Sequence, residues 1–167
     1  MRHPLVLALF EDPTSAARAA RAVRDLGVPR ERVSIVARSH DEEGVVAEAS
    51  GASPGAEMED SPAASRLGEL GAHVLAAMAL VMPGIGPIVA DGPLAAGLGE
   101  AAGHLAGGIA KTLTRAGLDE DQASEWESRI ERGAFLLGAH TDTRSTPSVR
   151  EAMQRNGAAR VTLGTWE

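Results

Sequence analysis

The sequence contains no cysteine and no tyrosine, and its 167 residues include only two phenylalanines and two tryptophans. The absence of cysteine excludes disulfide bonds, thiolate metal sites and a cysteine nucleophile. Because aromatic residues make up 2% of the chain and hydrophobic residues 44%, the core has to be built from aliphatic side chains and alanine. A chain of this length has room for one ordinary domain.

Positive charge is also scarce. Lys and Arg number 16 against 23 Asp and Glu, which gives a formal net charge of −7. Because phosphate backbones are bound by basic surfaces, we do not expect nucleic acid as a partner. The segment 41–60 carries acidic residues and no basic ones, so we interpret residues 39–61 as an acidic, loosely packed loop.

Hydrophobic runs long enough to target or anchor the chain are not evident. The apolar run 5–10 is short and is followed at once by acidic residues, so we expect no signal peptide and a cytoplasmic location. Residues 74–90 carry no charge, but the segment Pro83-Gly84-Ile85-Gly86-Pro87 interrupts them. Burial against the sheet or a second subunit is therefore favoured over contact with a membrane.

The N-terminal part of the chain has the pattern of a strand, a helix and a second strand. Residues 4–10 are almost continuously apolar, which is typical of a strand covered on both faces. Asp12 followed by a proline predicts the start of a helix over residues 13–26. Alternating apolar residues then predict a strand over residues 33–38.

The C-terminal part repeats this order, with strands predicted over 134–140 and 160–166 and a helix over 147–155. Two β-α-β units in one chain predict an α+β fold with a ferredoxin-like β-α-β-β-α-β sheet.

The residues between the two units form a long insert rich in glycine and alanine. We predict a helical hairpin in it, with helices over 62–82 and 93–116, and one further helix over 120–132 that is capped by Asp119. The predicted single domain, 1–167, then consists of the first unit 1–38, the acidic loop 39–61, the helical insert 62–133 and the second unit 134–167.

Three segments carry a resemblance to a known family: LFEDPTSAARAARAVRDLGVPRERVSIVAR, VMPGIGPIVADGPLAAGLGEAAG and AGLDEDQASEWESRIERGAFLLGAHTD. In their content and order the chain resembles the bacterial heat-induced general stress protein family. The resemblance covers most of the chain. It implies a ferredoxin-like domain with an inserted helical hairpin and a role in stress responses, and it implies no catalytic residues.

Both predicted hairpin helices contain the same short phrase, Leu-Gly-Glu followed by His. It places Glu69 beside His73 and Glu100 beside His104, one helical turn apart on the same face. Each pair is interpreted as a solvated pair on the helix surface, as an axial histidine for haem with its carboxylate nearby, or as part of a metal site. The metal interpretation fits least, because di-metal bundles use an i, i+3 spacing.

A row of glycines, Gly99, Gly103 and Gly107, lies beside the second of these phrases. Since glycine destabilises a helix by about 1 kcal/mol relative to alanine, such a row calls for a packing reason. A flat ligand or the backbone of a partner could approach this surface closely. We therefore predict a homodimer, with haem as the most plausible cofactor.

The remaining candidate residues give weaker signals. His140 and Asp142 follow the third predicted strand, but no Gly-x-Ser-x-Gly pattern accompanies them, so His140 is interpreted as structural. His3 and His40 are expected to be exposed. Trp126 is expected to be a packing anchor.

The sequence therefore favours a non-enzymatic cytoplasmic stress-response protein that binds haem through His73 or His104, with Glu69 and Glu100 nearby. The alternative is a structural module whose hairpin docks on a partner protein or a membrane surface. No catalytic residue and no resident metal ion are predicted.

Overall fold

The computed structural model describes residues 2–38, 78–82, 86–102 and 108–167. Within these ranges the chain forms six strands, five α-helices and one short 3-10 helix at Arg30–Arg32. The strands are β1 (His3–Phe10), β2 (Val33–Arg38), β3 (Met78–Met82), β4 (Gly86–Asp91), β5 (Phe135–His140) and β6 (Arg160–Trp166). The helices are α1 (Pro13–Asp25), α2 (Pro93–Ala102), α3 (Gly108–Arg115), α4 (Glu120–Glu131) and α5 (Thr146–Arg155).

The strands form one sheet in the order β3-β4-β2-β5-β1-β6, and each strand is antiparallel to its neighbours. The four strands predicted from the two β-α-β units are all present, in the order β2-β5-β1-β6. Their bounds lie within one residue of the prediction. An antiparallel sheet combined with helices confirms the α+β class.

Side-chain caps explain where two of the helices begin. The carboxylate of Asp12 accepts a hydrogen bond from the backbone N–H of Ser15 at 2.8 Å, and that of Asp119 accepts one from Gln122 at 2.7 Å. Both caps confirm the prediction, because a short acidic side chain satisfies N–H groups that have no partner within the helix.

Helices cover the sheet on both faces. On one face, α1 and α5 pack on a layer that includes Val6, Ala8 and Phe10 of β1. On the other, α2, α3 and α4 pack on the alternate residues Leu5, Leu7 and Leu9. All six of these β1 residues are fully buried, so the prediction of a strand covered on both faces is confirmed. The chain's own helices thus cover β1 on both faces.

The insert differs from the predicted helical hairpin. Residues 78–82 were expected to end the first helix but form β3, which pairs with β4 and extends the sheet beyond β2. The expected second helix, 93–116, is described as two helices, α2 and α3. The physical reason is that an uncharged apolar run fits a buried strand as well as a helix. Here the open edge of β2 was available for pairing.

A glycine makes the turn from β4 into α2 possible. Gly92 has a φ of +81°, and a Cβ at this position would lie 2.3 Å from the carbonyl oxygen of Val33. Only glycine fits both the backbone angle and the close approach.

The acidic loop 39–61 and the predicted helix residues 62–77 lie outside the described ranges. Among the described helices, none combines the length and the apolar character that a transmembrane span requires.

Candidate functional site

Three ring-bearing side chains meet at one end of the strands, where β1 begins and where β5 and β6 end. In the strand register, His3 lies opposite Trp166 and His140 lies opposite Leu5. Because side chains alternate along a strand, His3, His140 and Trp166 all project from the face that carries Leu5. This is the face covered by α2, α3 and α4.

A histidine pair is the centre of this site. Nε2 of His3 and Nδ1 of His140 are 2.7 Å apart in a hydrogen bond, and the ring of His140 meets the Trp166 ring edge-on with centroids 5.8 Å apart. His140 is 2% exposed, whereas His3 and Trp166 are half-buried. The second nitrogen of His140, Nε2, is buried and has no hydrogen-bond partner. A buried polar atom without a partner is uncommon in folded proteins and requires an explanation.

A cavity of about 490 Å³ opens beside this pair. Its lining includes both histidines, Trp166, two arginines and the first residue of α2: His3, His140, Trp166, Arg2, Arg32 and Pro93. Its volume lies in the range that small-molecule pockets occupy.

The charged groups around the cavity differ in how they are paired. Arg2 forms an ion pair with Glu167 at 2.7 Å. The carboxylate of Asp142 accepts hydrogen bonds within its own turn, from the backbone N–H groups of Arg144 and Ser145. The hydrogen bonds from Ser145 hold the pKa of Asp142 below its usual range. In contrast, the guanidinium of Arg32 forms no ion pair or hydrogen bond with the described part of the chain.

The surroundings keep His140 neutral at physiological pH. Burial is the main cause that lowers its pKa, from 6.5 to about 4, and the positive fields of His3 and Arg32 add to the effect. A neutral imidazole with one nitrogen engaged has one nitrogen left for a ligand. With an arginine nearby, the site is suited to hydrogen bonding and to the recognition of negative charge.

The predicted haem site falls on residues that the structure does not describe. Glu69, His73 and His104 lie outside the described ranges, and of Glu100 only the backbone in α2 is described. Within the described ranges, no cluster of three or more His, Cys, Asp or Glu side chains could hold a metal ion.

Sequence reasoning missed the histidine pair. His3 was expected to be exposed, but it is half-buried and bonded to His140. The available signal was the alternation of β1, which puts His3 on the same face as Leu5, Leu7 and Leu9. The prediction that Trp126 is a packing anchor is confirmed, because its side chain is 1% exposed within the core under α4.

The chain was also compared with known proteins. No family model matches it, and no curated protein or solved structure matches it either.

Proposed function

We propose that this protein is a non-enzymatic stress-response protein that binds a small molecule in the cavity beside His3, His140 and Trp166. The single observation that carries the proposal is Nε2 of His140. It belongs to a residue in the cavity wall, it is buried, and it has no hydrogen-bond partner. Leaving such an atom without a partner destabilises the folded state by about 1–3 kcal/mol, and a bound ligand would remove this penalty.

The stress-response part of the proposal rests on the sequence resemblance, and the strand order agrees with the fold that this resemblance implies. The order β2-β5-β1-β6, with α1 and α5 packed together on one face, is the arrangement expected of a ferredoxin-like domain. We propose that the chain is such a domain, related to the bacterial heat-induced general stress proteins that its sequence resembles. β3, β4, α2 and α3 then belong to the insert between the two β-α-β units.

Haem remains the proposed cofactor of His73 and His104 in the insert, and we do not propose it for the cavity. When Nδ1 of His140 accepts a hydrogen bond from His3, Nε2 carries the proton, so neither nitrogen has a free lone pair for an iron atom. Haem bound to this protein should therefore depend on His73 or His104. A hemin titration compares the wild type with the double variant His73→Ala/His104→Ala and with His140→Phe. A Soret band lost only in the double variant supports a haem site at His73 or His104, and a band lost only in His140→Phe contradicts it.

The proposed binding function is tested by nuclear magnetic resonance of the histidine rings. The panel contains a neutral aromatic alcohol, an aromatic carboxylate, inorganic phosphate and a simple sugar. We expect at least one class to shift the His3 and His140 ring signals in a saturable way. If no class moves the two signals at millimolar concentration, the proposal is wrong.

A further inference from the structure

We propose that the cavity binds an aromatic carboxylate, with Arg32 pairing with its charge and the His3–His140 pair donating a hydrogen bond to one of its oxygens. This inference rests on the proposed binding function and names the chemical class of its ligand. It follows from the charge, the hydrogen-bonding capacity and the apolar surface that the cavity presents.

The charge balance favours an anion. The charge of Arg2 is matched by Glu167 across an ion pair of 2.7 Å, and the Asp142 carboxylate is engaged by its own turn. Arg32 also lines the cavity, and no carboxylate within the described ranges forms an ion pair with it. A guanidinium offers two parallel N–H groups that match the two oxygens of a carboxylate.

The histidine pair supplies a second donor. When Nε2 of His3 donates to Nδ1 of His140, the proton of His140 lies on its own Nε2, and this N–H has no acceptor. A carboxylate oxygen would be that acceptor. Since Nε2 is buried and Trp166 contacts the same ring edge-on, we expect the Trp166 ring to turn when the ligand enters.

Part of the lining is apolar and suits a flat hydrocarbon body. Pro4, Pro93 and the half-buried Trp166 form this part of the cavity. Aromatic ligands pack favourably against an indole ring, and a volume of about 490 Å³ has room for a single-ring acid.

Phosphate fits less well than a carboxylate. The start of α2 contributes Pro93 to the lining, but its nearby N–H groups are already used. Leu94 donates to Ser34 Oγ at 3.0 Å, and Ala95 donates to the carbonyl of Gly92 at 3.0 Å. One unmatched arginine and one imidazole are too few donors for a doubly charged phosphate, which is usually bound by several.

Binding should be coupled to proton uptake. The titratable and charged groups that line the cavity with His140 are His3 from β1, Arg32 from the 3-10 helix, Asp142 after β5, and Arg2, which is paired with Glu167. A bound carboxylate offsets the positive field that disfavours imidazolium, so it should raise the pKa of His140 from about 4. The affinity for benzoate should therefore increase as the pH falls towards the raised pKa of His140 in the complex, by at most about tenfold per pH unit.

The experiment is a calorimetric titration of the full chain with benzoate, benzyl alcohol and inorganic phosphate, accompanied by histidine-ring spectra. We expect saturable binding of benzoate, binding of benzyl alcohol and of phosphate that is at least about tenfold weaker, and shifted signals of His3 and His140. Titrations in two buffers with different ionisation enthalpies measure the proton uptake.

Two arginine variants provide the matched comparison. Arg32→Gln should weaken benzoate binding by about tenfold or more, whereas Arg30→Gln should leave it within about twofold. Arg30 lies in the same 3-10 helix but lines a different cavity, with Arg21 and Arg24. His140→Phe keeps a ring in the same place and should abolish the proton uptake. His3→Gln keeps a polar side chain at the half-buried position 3 and should reduce the affinity for benzoate.

The outcomes separate the two proposals. If benzyl alcohol binds as tightly as benzoate, or if Arg32→Gln has no more effect than Arg30→Gln, the carboxylate inference is wrong and the binding function stands. Phosphate binding more tightly than benzoate also overturns the inference. If no probe moves the signals of His3 and His140, the binding function itself fails.

Discussion

His3 and His140 are 137 positions apart in the chain, and their rings share a hydrogen bond of 2.7 Å. The contact is diagonal across the β1–β5 ladder, because the register partner of His140 is Leu5 and His3 lies two residues further along the same face. Such diagonal neighbours are within reach of ring side chains. The pair therefore joins β1 to the end of β5 in the wall of the cavity.

The first prediction concerns acid sensitivity. Because the folded state lowers the pKa of His140 from 6.5 to about 4, the unfolded chain takes up the proton at a higher pH than the folded chain. The contribution to stability is complete above about pH 6.5 and is lost as the pH falls towards 4, by about 3 kcal/mol at most. Urea unfolding at several pH values should show this loss.

The comparison protein for this measurement is His140→Phe. It cannot titrate at this position, so its free energy of unfolding should fall less steeply between about pH 6.5 and about pH 4. Carboxylates titrate in both proteins, and the difference between the two slopes isolates the histidine. Equal slopes would show that His140 is not held neutral by the fold.

A second prediction concerns Gly164, which lies in the edge strand β6. A Cβ at this position would lie 2.1 Å from the carbonyl oxygen of Ala116, and that oxygen also accepts a hydrogen bond from the N–H of Thr165 at 2.8 Å. Gly164→Ala should therefore displace the turn between α3 and α4 and destabilise the protein by about 2–3 kcal/mol.

Gly27→Ala is the control for this effect. Gly27 has a φ of +91°, but nothing lies within 4 Å of its Cβ position, so only backbone strain opposes the substitution. We expect a loss of about 1 kcal/mol at this site. Chemical denaturation of both variants should rank Gly164→Ala as the more damaging, and the reverse order would contradict the close approach of Ala116.

The third prediction concerns the buried Ser34 in β2. Its hydroxyl oxygen accepts the N–H of Leu94 at 3.0 Å and so caps α2 from a neighbouring strand. Ser34→Ala leaves this N–H without a partner and should destabilise the protein by about 1–2 kcal/mol. Ser148→Ala, at an exposed position inside α5, should change stability by less than about 0.5 kcal/mol. Thermal melts that show equal effects for both would rule out this cap.

A fourth prediction concerns the cap of α1. Asp12→Ala removes the acceptor for the N–H of Ser15, at 2.8 Å, and should lower stability by about 1 kcal/mol near neutral pH. The hydrogen bonds from Ser15 lower the pKa of Asp12, so this contribution is present above its unfolded pKa and is lost as the carboxylate is protonated in acid. Asp25→Ala, at the last residue of the same helix, removes equal charge and should not destabilise. Similar losses in both variants would indicate a charge effect instead of a cap.

The two β-α-β units could be predicted from the sequence because their signals are local. Apolar runs of six or seven residues, an acidic residue before a proline and the period of the helices define β1, α1, β2, β5, α5 and β6. The strands of the insert could not be predicted in the same way. Residues 78–82 and 86–91 became strands because β2 offered an open edge, and no local signal reports that edge.

The candidate site also combines residues that are visible in the sequence with contacts that are not. His140, Trp166 and Arg32 are visible in the sequence as separate residues, and their chemistry is known from their types alone. The contact between these side chains depends on the antiparallel pairing of β1 with both β5 and β6. This pairing brings the start of β1 beside the last residues of β5 and β6. Sequence reasoning therefore turned to the histidines of the helical insert, where a repeated phrase offered a local pattern.

By itself, the sequence determined the class of the fold, the strands and helices of both terminal units, the caps at Asp12 and Asp119 and the burial of Trp126. These features depend on residues within one or two helical turns of each other. Only the tertiary structure decided the six-stranded order, the covering of both sheet faces and the pairing of His3 with His140. Each of these depends on contacts between distant segments, which form because burying two apolar faces of one sheet stabilises the fold more than local preference does.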